Sequence, residues 1–189
     1  MKIFFTASQR GKKYFDENYQ KIYQIIESFG NQLLDDDIIN VSESRFYQQL
    51  SLGGEKAVKK LHQDKIRSIQ EADVCVFEAS IPSVSLGYQI RKSLELNKPT
   101  VILYFKNNPP YFLLGAKEEK LIVRSYTDRN LKQVVKEILT EVGKLRDKRF
   151  NFFIGTDLLN YLEQVSRKMK ITKSTFIRNL ILEHKKKNS

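Results

Sequence analysis

Short runs of β-branched and aromatic residues alternate along the chain with longer stretches whose apolar positions recur every three or four residues. KIFFT (2–6) predicts a strand, residues 14–29 a helix stopped by Gly30, and NQLL (31–34) a weaker strand. Residues 54–71 predict a helix with Ala57, Leu61 and Ile69 among its apolar positions. DVCVFEA (73–79) is a continuous apolar run of the kind a fully buried strand shows. A helix over 85–97, strands TVILYF (100–105) and KLIVRSY (120–126), and a helix from about 129 to 146 follow. In that last helix Leu131, Val134, Val135, Ile138 and Val142 share one face.

Strands separated by helices imply an α/β fold, here a doubly wound, mostly parallel five-stranded sheet covered on both faces. Such sheets bind ligands at the carboxyl ends of their strands, where the strand order reverses. Two loops are expected to meet there, ASQRG after the first strand and SIPSVSLG after the 73–79 strand. Ser8, Ser83 and Ser85 offer hydroxyls, and Arg10 a charged fork. Gly11 and Gly87 allow close backbone approach, and the helix starting near Ser85 directs free N–H groups at the cleft. Together they predict a phosphate cradle, although serines before a helix also serve as plain N-caps.

Composition narrows the picture. No apolar run reaches the ~18 residues of a membrane span, and MKIFFTASQRGKK lacks a signal-peptide core, so a cytoplasmic protein without a membrane partner is expected. The single cysteine, Cys75, lies within DVCVF and reads as a buried strand thiol. Nothing in the pattern calls for a metal or cofactor. Net charge is +11, and it is uneven. From Arg146 to Ser189 there are 11 Lys and Arg against 4 Asp and Glu, a net of +7. That balance suggests a polyanionic partner or simply a solvated charged end.

IFFTASQRG, IQEADVCVFEASIPSVSLGYQI and NKPTVILYF, in that order and spacing, resemble the nucleoside 2-deoxyribosyltransferase family, most of all its branch that hydrolyses 2′-deoxynucleoside 5′-monophosphates. The resemblance spans roughly residues 1–140 and implies a flavodoxin- or Rossmann-like sheet. It also implies cleavage of an N-glycosidic bond by a carboxylate nucleophile, an assisting carboxylate and an orienting tyrosine. Here those three positions hold Gln89, Lys65 (with Asp64 beside it) and Phe4. Ser8, Arg10 and Ser83 match positions that hold the 5′-phosphate. The resemblance therefore implies a domain that binds a nucleotide without turning it over. Glu78 and Asp35-Asp36-Asp37 are the other carboxylates able to take over the chemistry, and restoring glutamate at position 89 alone is expected to do little if positions 4 and 65 also matter.

The segment KRFNFFIGTDLLNYLEQVSRKMKITKSTFIRNLILEHKKK is built differently. A short strand, 149–154, precedes a helix from about Thr156 to Lys170 with Leu158, Leu162, Val165 and Met169 on one stripe. Thr172 or Ser174 caps a second helix whose Phe176, Ile177, Leu180 and Ile181 face inward. Forty residues cannot bury that much apolar surface alone, so a homodimer or higher even oligomer is expected. The segment resembles the ribbon-helix-helix (β-α-α) repressors, which implies a dimeric ribbon reading double-stranded DNA. By that resemblance Arg149, Asn151 and Phe153 face the bases, and Lys173 and Ser174 clamp a phosphate.

These observations divide the chain into an α/β domain (1–146) and a small dimerisation module (147–189). The expected function is a homodimeric DNA-binding transcriptional regulator whose nucleotide-binding domain is catalytically silent. Two alternatives stand beside it: a deoxyribosyltransferase or deoxynucleoside monophosphate N-glycosidase that oligomerises through its tail, and an antitoxin-like module that holds another protein.

Overall fold

The computed structural model describes residues 1–145 and 152–188. The chain divides into two compact units, Met1–Asp147 and Lys148–Ser189.

In the first unit the chain runs through strand β1 (Lys2–Ala7), a 3₁₀ turn (Gln9–Gly11), helix α1 (Lys12–Ser28), strand β2 (Gln32–Leu33) and a short helix α2 (Asp37–Asn40). Then come α3 (Glu43–Glu71), β3 (Val74–Glu78), α4 (Val84–Glu95), β4 (Thr100–Phe105), α5 (Tyr111–Leu114), β5 (Leu121–Tyr126) and α6 (Leu131–Leu145). All five strands are parallel, in the order β2-β1-β3-β4-β5. The order reverses between β1 and β3, so the loops leaving these two strands flank the switch point the sequence pointed to.

Both faces of the sheet are covered, and successive residues explain how. Ile3, Phe5, Val74 and Val76 turn to one side and pack with Tyr19, Ile22 and Ile26 of α1 and with Leu131, Val135, Ile138 and Val142 of α6. Phe4, Cys75 and Phe77 turn to the other, against Ile69 of α3 and Leu86 and Ile90 of α4. The Phe4 and Phe77 rings meet edge to face, 5.9 Å between centroids. Burial in this layer pushes the Cys75 thiol up to about 12, which leaves it an inert core side chain. Among the described residues no helix is long and apolar enough to cross a membrane.

Two glycines carry backbone duties. Gly54 has φ +54° and bends α3 in mid-course. The sequence pattern places the start of this helix at residue 54. The structure instead extends it back to Glu43, with Ser42 Oγ accepting from the Arg45 backbone N–H at 3.3 Å as the N-cap. Gly11 is buried, and a Cβ there would collide with the hydroxyl of fully buried Tyr19. Gly11→Ala is therefore expected to lower stability by about 1–3 kcal/mol, as overpacking does. Urea denaturation of the variant and wild type reads this directly.

In the second unit helix α7 (Thr156–Met169) ends at Lys170, whose φ of 55° reverses the chain. Helix α8 (Lys173–Lys187) follows, and of the two caps considered the structure uses Thr172, whose hydroxyl accepts from the Thr175 N–H. Of the strand expected at 149–154, residues 149–151 lie outside the described residues, and 152–154 have no regular structure.

Candidate nucleotide cleft

A cleft of about 670 Å³ opens at the switch point. One wall is the end of β1 and the turn after it, Thr6 to Gln9, together with the start of α4, Ser83 to Leu86. The facing wall comes from α3, whose kink lays Phe46, Tyr47 and Leu50 over the space that Leu61, His62 and Lys65 line from its second half.

The serine wall is polar and built on backbone ends. Ser8 is buried, and its carbonyl accepts from the Gly11 N–H at 2.8 Å. Ser83 is the N-cap of α4, its hydroxyl accepting from the Leu86 N–H at 3.4 Å. A helix N-terminus with two more serine hydroxyls beside it suits an anion. Arg10 is exposed in the 3₁₀ turn and does not line the cleft, nor do Gly11 and Gly87. The structure thus brings together Ser8, Ser83 and Ser85 from the expected cradle and leaves the other three outside its walls.

The α3 wall is aromatic and apolar. Phe46 and Tyr47 meet edge to face at 5.3 Å. His62 and Tyr88 pair across α3 and α4, with ring centroids 5.8 Å apart and Nε2 3.4 Å from the phenol oxygen. Sequence reasoning missed all four. The signal was present as Phe46 and Leu50 at i, i+4, but the double glycine cut it off from the rest of α3.

Three positions decide the chemistry. Phe4 is fully buried in the core and does not line the cleft. Lys65, 9% exposed, lines it, and its ammonium is held from behind by Asp35 (2.6 and 2.7 Å) and Asp37 (2.8 Å). Burial drives the Asp35 carboxyl upward while the Lys65 charge pulls it back. Gln89 lines the cleft with its Nε2 donating to the Ser85 carbonyl at 3.2 Å, and its Oε1 is a buried acceptor without a partner among the described residues. Gln9 Oε1 is a second such acceptor in the same wall. Among the described residues no Asp or Glu lines the cleft.

Glu78 is fully buried at the end of β3 and does not line the cleft. It accepts from Tyr126 Oη at 3.0 Å and from the Ser80 hydroxyl, which itself accepts from the Phe105 N–H. Desolvation lifts the Glu78 carboxyl above its ordinary value. Burial, and the Glu78 charge beside them, also lift the Tyr19 and Tyr126 hydroxyls. The fold therefore holds this proton more tightly than the unfolded chain does. Its stabilising contribution is complete below the unfolded carboxyl value (~4.3) and is lost as pH rises through the folded value. Between pH 4 and 8 the urea midpoint of Glu78→Gln is expected to rise relative to wild type. A difference independent of pH would show that Glu78 titrates as an ordinary carboxylate.

Of the residues expected at a DNA surface, Arg149 and Asn151 lie outside the described residues. Phe153 and Ser174 are exposed, and Lys173 is tied to Glu163 at 2.6 Å, which pulls the Glu163 carboxyl below its usual value.

No family model matches the chain. It is 31% identical over 104 residues to 2′-deoxynucleoside 5′-phosphate N-hydrolase 1 of Syntrophotalea carbinolica, covering 55% of this chain and 68% of the relative. This chain belongs to the 2′-deoxynucleoside 5′-phosphate N-hydrolase family. The Methanosarcina mazei protein of the same name is 26% identical over 144 residues (74% of this chain, 81% of the relative). The 5-hydroxymethyl-dUMP N-hydrolase of Danio rerio is 26% identical over 150 residues (76% and 99%). Among solved structures, the CMP N-glycosidase of Clostridium botulinum has the same fold, with a TM-score of 0.51 at 13% identity over 74% of this chain and 99% of that one.

Membership in the N-hydrolase family overturns the DNA-binding regulator expected from the sequence. The relatives are named as nucleotide N-hydrolases, which matches the alternative reading. Net charge speaks of partners in general rather than of DNA, and a basic tail with a two-helix pattern does not by itself specify one.

Proposed function

We propose that this chain is a nucleotide N-hydrolase: it takes a 2′-deoxynucleoside 5′-monophosphate into the cleft and cleaves its N-glycosidic bond with water. The observation that carries the reading is the division of one cleft, in a chain of this family, into a hydroxyl-rich wall at a helix N-terminus and an aromatic wall facing it. The 5′-phosphate lies against Ser8, Ser83 and Ser85, where hydroxyls and the free N–H groups of the first turn of α4 receive it. The base lies against Tyr47, Tyr88 and His62, whose rings supply stacking surface.

Gln89 sets the character of the reaction. With its amide nitrogen fixed on the Ser85 carbonyl, Gln89 presents a neutral polar side chain to the cleft, and a water held there attacks C1′. The C1′–N bond breaks with its electron pair leaving on the base, which takes up a proton. The water oxygen bonds to C1′ and releases its own proton, giving free base and deoxyribose 5-phosphate. A neutral amide cannot offset the positive charge that develops on the sugar, so turnover is slow relative to a carboxylate site.

Calorimetric titration with the four common 2′-deoxynucleoside 5′-monophosphates and with the matching nucleosides tests the placement of the phosphate. At least one nucleotide is expected to bind ten times more tightly than its nucleoside. Equal affinity for the two forms would place the phosphate elsewhere.

A further inference from the structure

The cleft wall that faces the serines carries a histidine. His62 lies on the side of α3 that also brings Val58, Leu61, Lys65 and Ile66 to the cleft. It meets Tyr88 of α4, with ring centroids 5.8 Å apart and Nε2 3.4 Å from the phenol oxygen. Tyr88 follows Ser85 by three positions, about one turn or ~4.5 Å further along α4. A nucleotide anchored by its phosphate at Ser83 and Ser85 therefore brings its sugar and base to this pair of rings. Nδ1, the second nitrogen of the imidazole, has no hydrogen-bond partner among the described residues.

We propose that His62 is the general acid that protonates the departing base, an inference that rests on the cleft being a nucleotide N-hydrolase site. Charge is the first argument. When the C1′–N bond breaks, its electron pair goes to the base and the sugar turns positive. Among the described residues no carboxylate lines the cleft to offset that charge, and Gln89 is neutral. A base leaving as an anion would have to draw away from a cation with nothing to assist either. An imidazolium avoids the separation. It passes its proton to the base as the bond breaks, so the base leaves neutral and a single positive charge moves from His62 to the sugar. Water then bonds to C1′, and the proton it releases returns through solvent to the imidazole. The inventory of the cleft is the second argument. Besides His62, the ionisable groups lining it are Tyr47, Lys65 and Tyr88. The Lys65 ammonium already donates to Asp35 and Asp37, and phenols as a class are weaker acids than imidazolium. Arg91, one turn beyond Tyr88 on α4, is engaged by Glu95 and Glu118, and Arg10 does not line the cleft. Histidine exchanges its proton near neutral pH, where general acids work best. Tyr88 occupies Nε2, which leaves the Nδ1–H to donate to the edge of the base.

Base release by the full chain, wild type and His62→Gln, tests this. The substitution is expected to lower kcat by about 100- to 10,000-fold. Calorimetry should find nucleotide affinity within about threefold of wild type, which separates rate from binding. Wild-type kcat should fall as pH rises from about 6 to 9 and the imidazolium is lost, and the variant should lack that limb. The 5′-monophosphate of 2′-deoxy-7-methylguanosine distinguishes an acid from a residue that merely shapes the cleft. Its base already carries a positive charge and leaves neutral without a proton, so His62→Gln should slow its release by less than about threefold. An equal loss on dGMP and on its 7-methyl form overturns the proposal. So does a descending limb that persists in the variant, which decides the matter for a pyrimidine nucleotide as well. Release from the methylated nucleotide alone would leave the hydrolytic cleft standing and overturn the acid. Release from no nucleotide at all would remove both.

Discussion

Replacing Lys65 with methionine is expected to cost the protein about 3–5 kcal/mol at neutral pH. Asp35 and Lys65 are each about one-tenth exposed at the side chain, so the substitution strands a buried carboxylate beside Asp37 with no cation between them. Charge arithmetic makes the loss depend on pH. Burial already raises the Asp35 carboxyl, and without Lys65 that upward push and the Asp37 charge are opposed by the Asp37 backbone N–H alone. In acid Asp35 takes a proton and the penalty shrinks. Adding Asp35→Leu to the methionine variant should recover most of the stability, because a buried ion pair exchanged as a whole for apolar groups is often nearly neutral. Urea unfolding of the two variants at pH 7 and pH 4 measures all of this. A loss under 1 kcal/mol at pH 7 would mean that water reaches the triad freely.

The second large effect concerns rate. Gln89→Glu is expected to speed base release by about 10- to 1,000-fold, corresponding to ~1.4–4 kcal/mol of transition-state stabilisation. The substitution puts an anion beside the sugar carbon that turns positive. It also gives up the Nε2 bond to the Ser85 carbonyl, for which about 1 kcal/mol of folding stability is a fair figure. From the sequence alone little was expected of this change if positions 4 and 65 mattered too. The structure alters that expectation. Phe4 lies in the core away from the cleft wall, and the Lys65 charge is already matched by Asp35 and Asp37. An unchanged rate in a variant that still binds nucleotide would remove position 89 from the chemistry.

The sequence was most readable where burial is continuous. DVCVF declared a two-faced strand, and its parallel partners followed from the alternation with helices. The position of the cleft followed from topology, and three of its serines from the loops that topology brings together. What stayed hidden depended on tertiary geometry. A positive φ at Gly54 lets α3 pass through a double glycine and carry Phe46 and Tyr47 over the site, whereas propensity argues for a break there. Arg10, one residue beyond the cleft wall, shows that proximity in a loop does not fix where a side chain goes. Lys65 looked like a lost acid. Only the fold reveals that it closes a triad with two aspartates some thirty positions away.

Chromatographic detection of free base decides the central claim. The wild-type protein, incubated with each of the four 2′-deoxynucleoside 5′-monophosphates, should release base from at least one of them, with deoxyribose 5-phosphate in equal amount and at a rate proportional to protein. The corresponding nucleoside should react at least ten times more slowly. Absence of base above the protein-free control, from a nucleotide that calorimetry shows to be bound, would contradict the account.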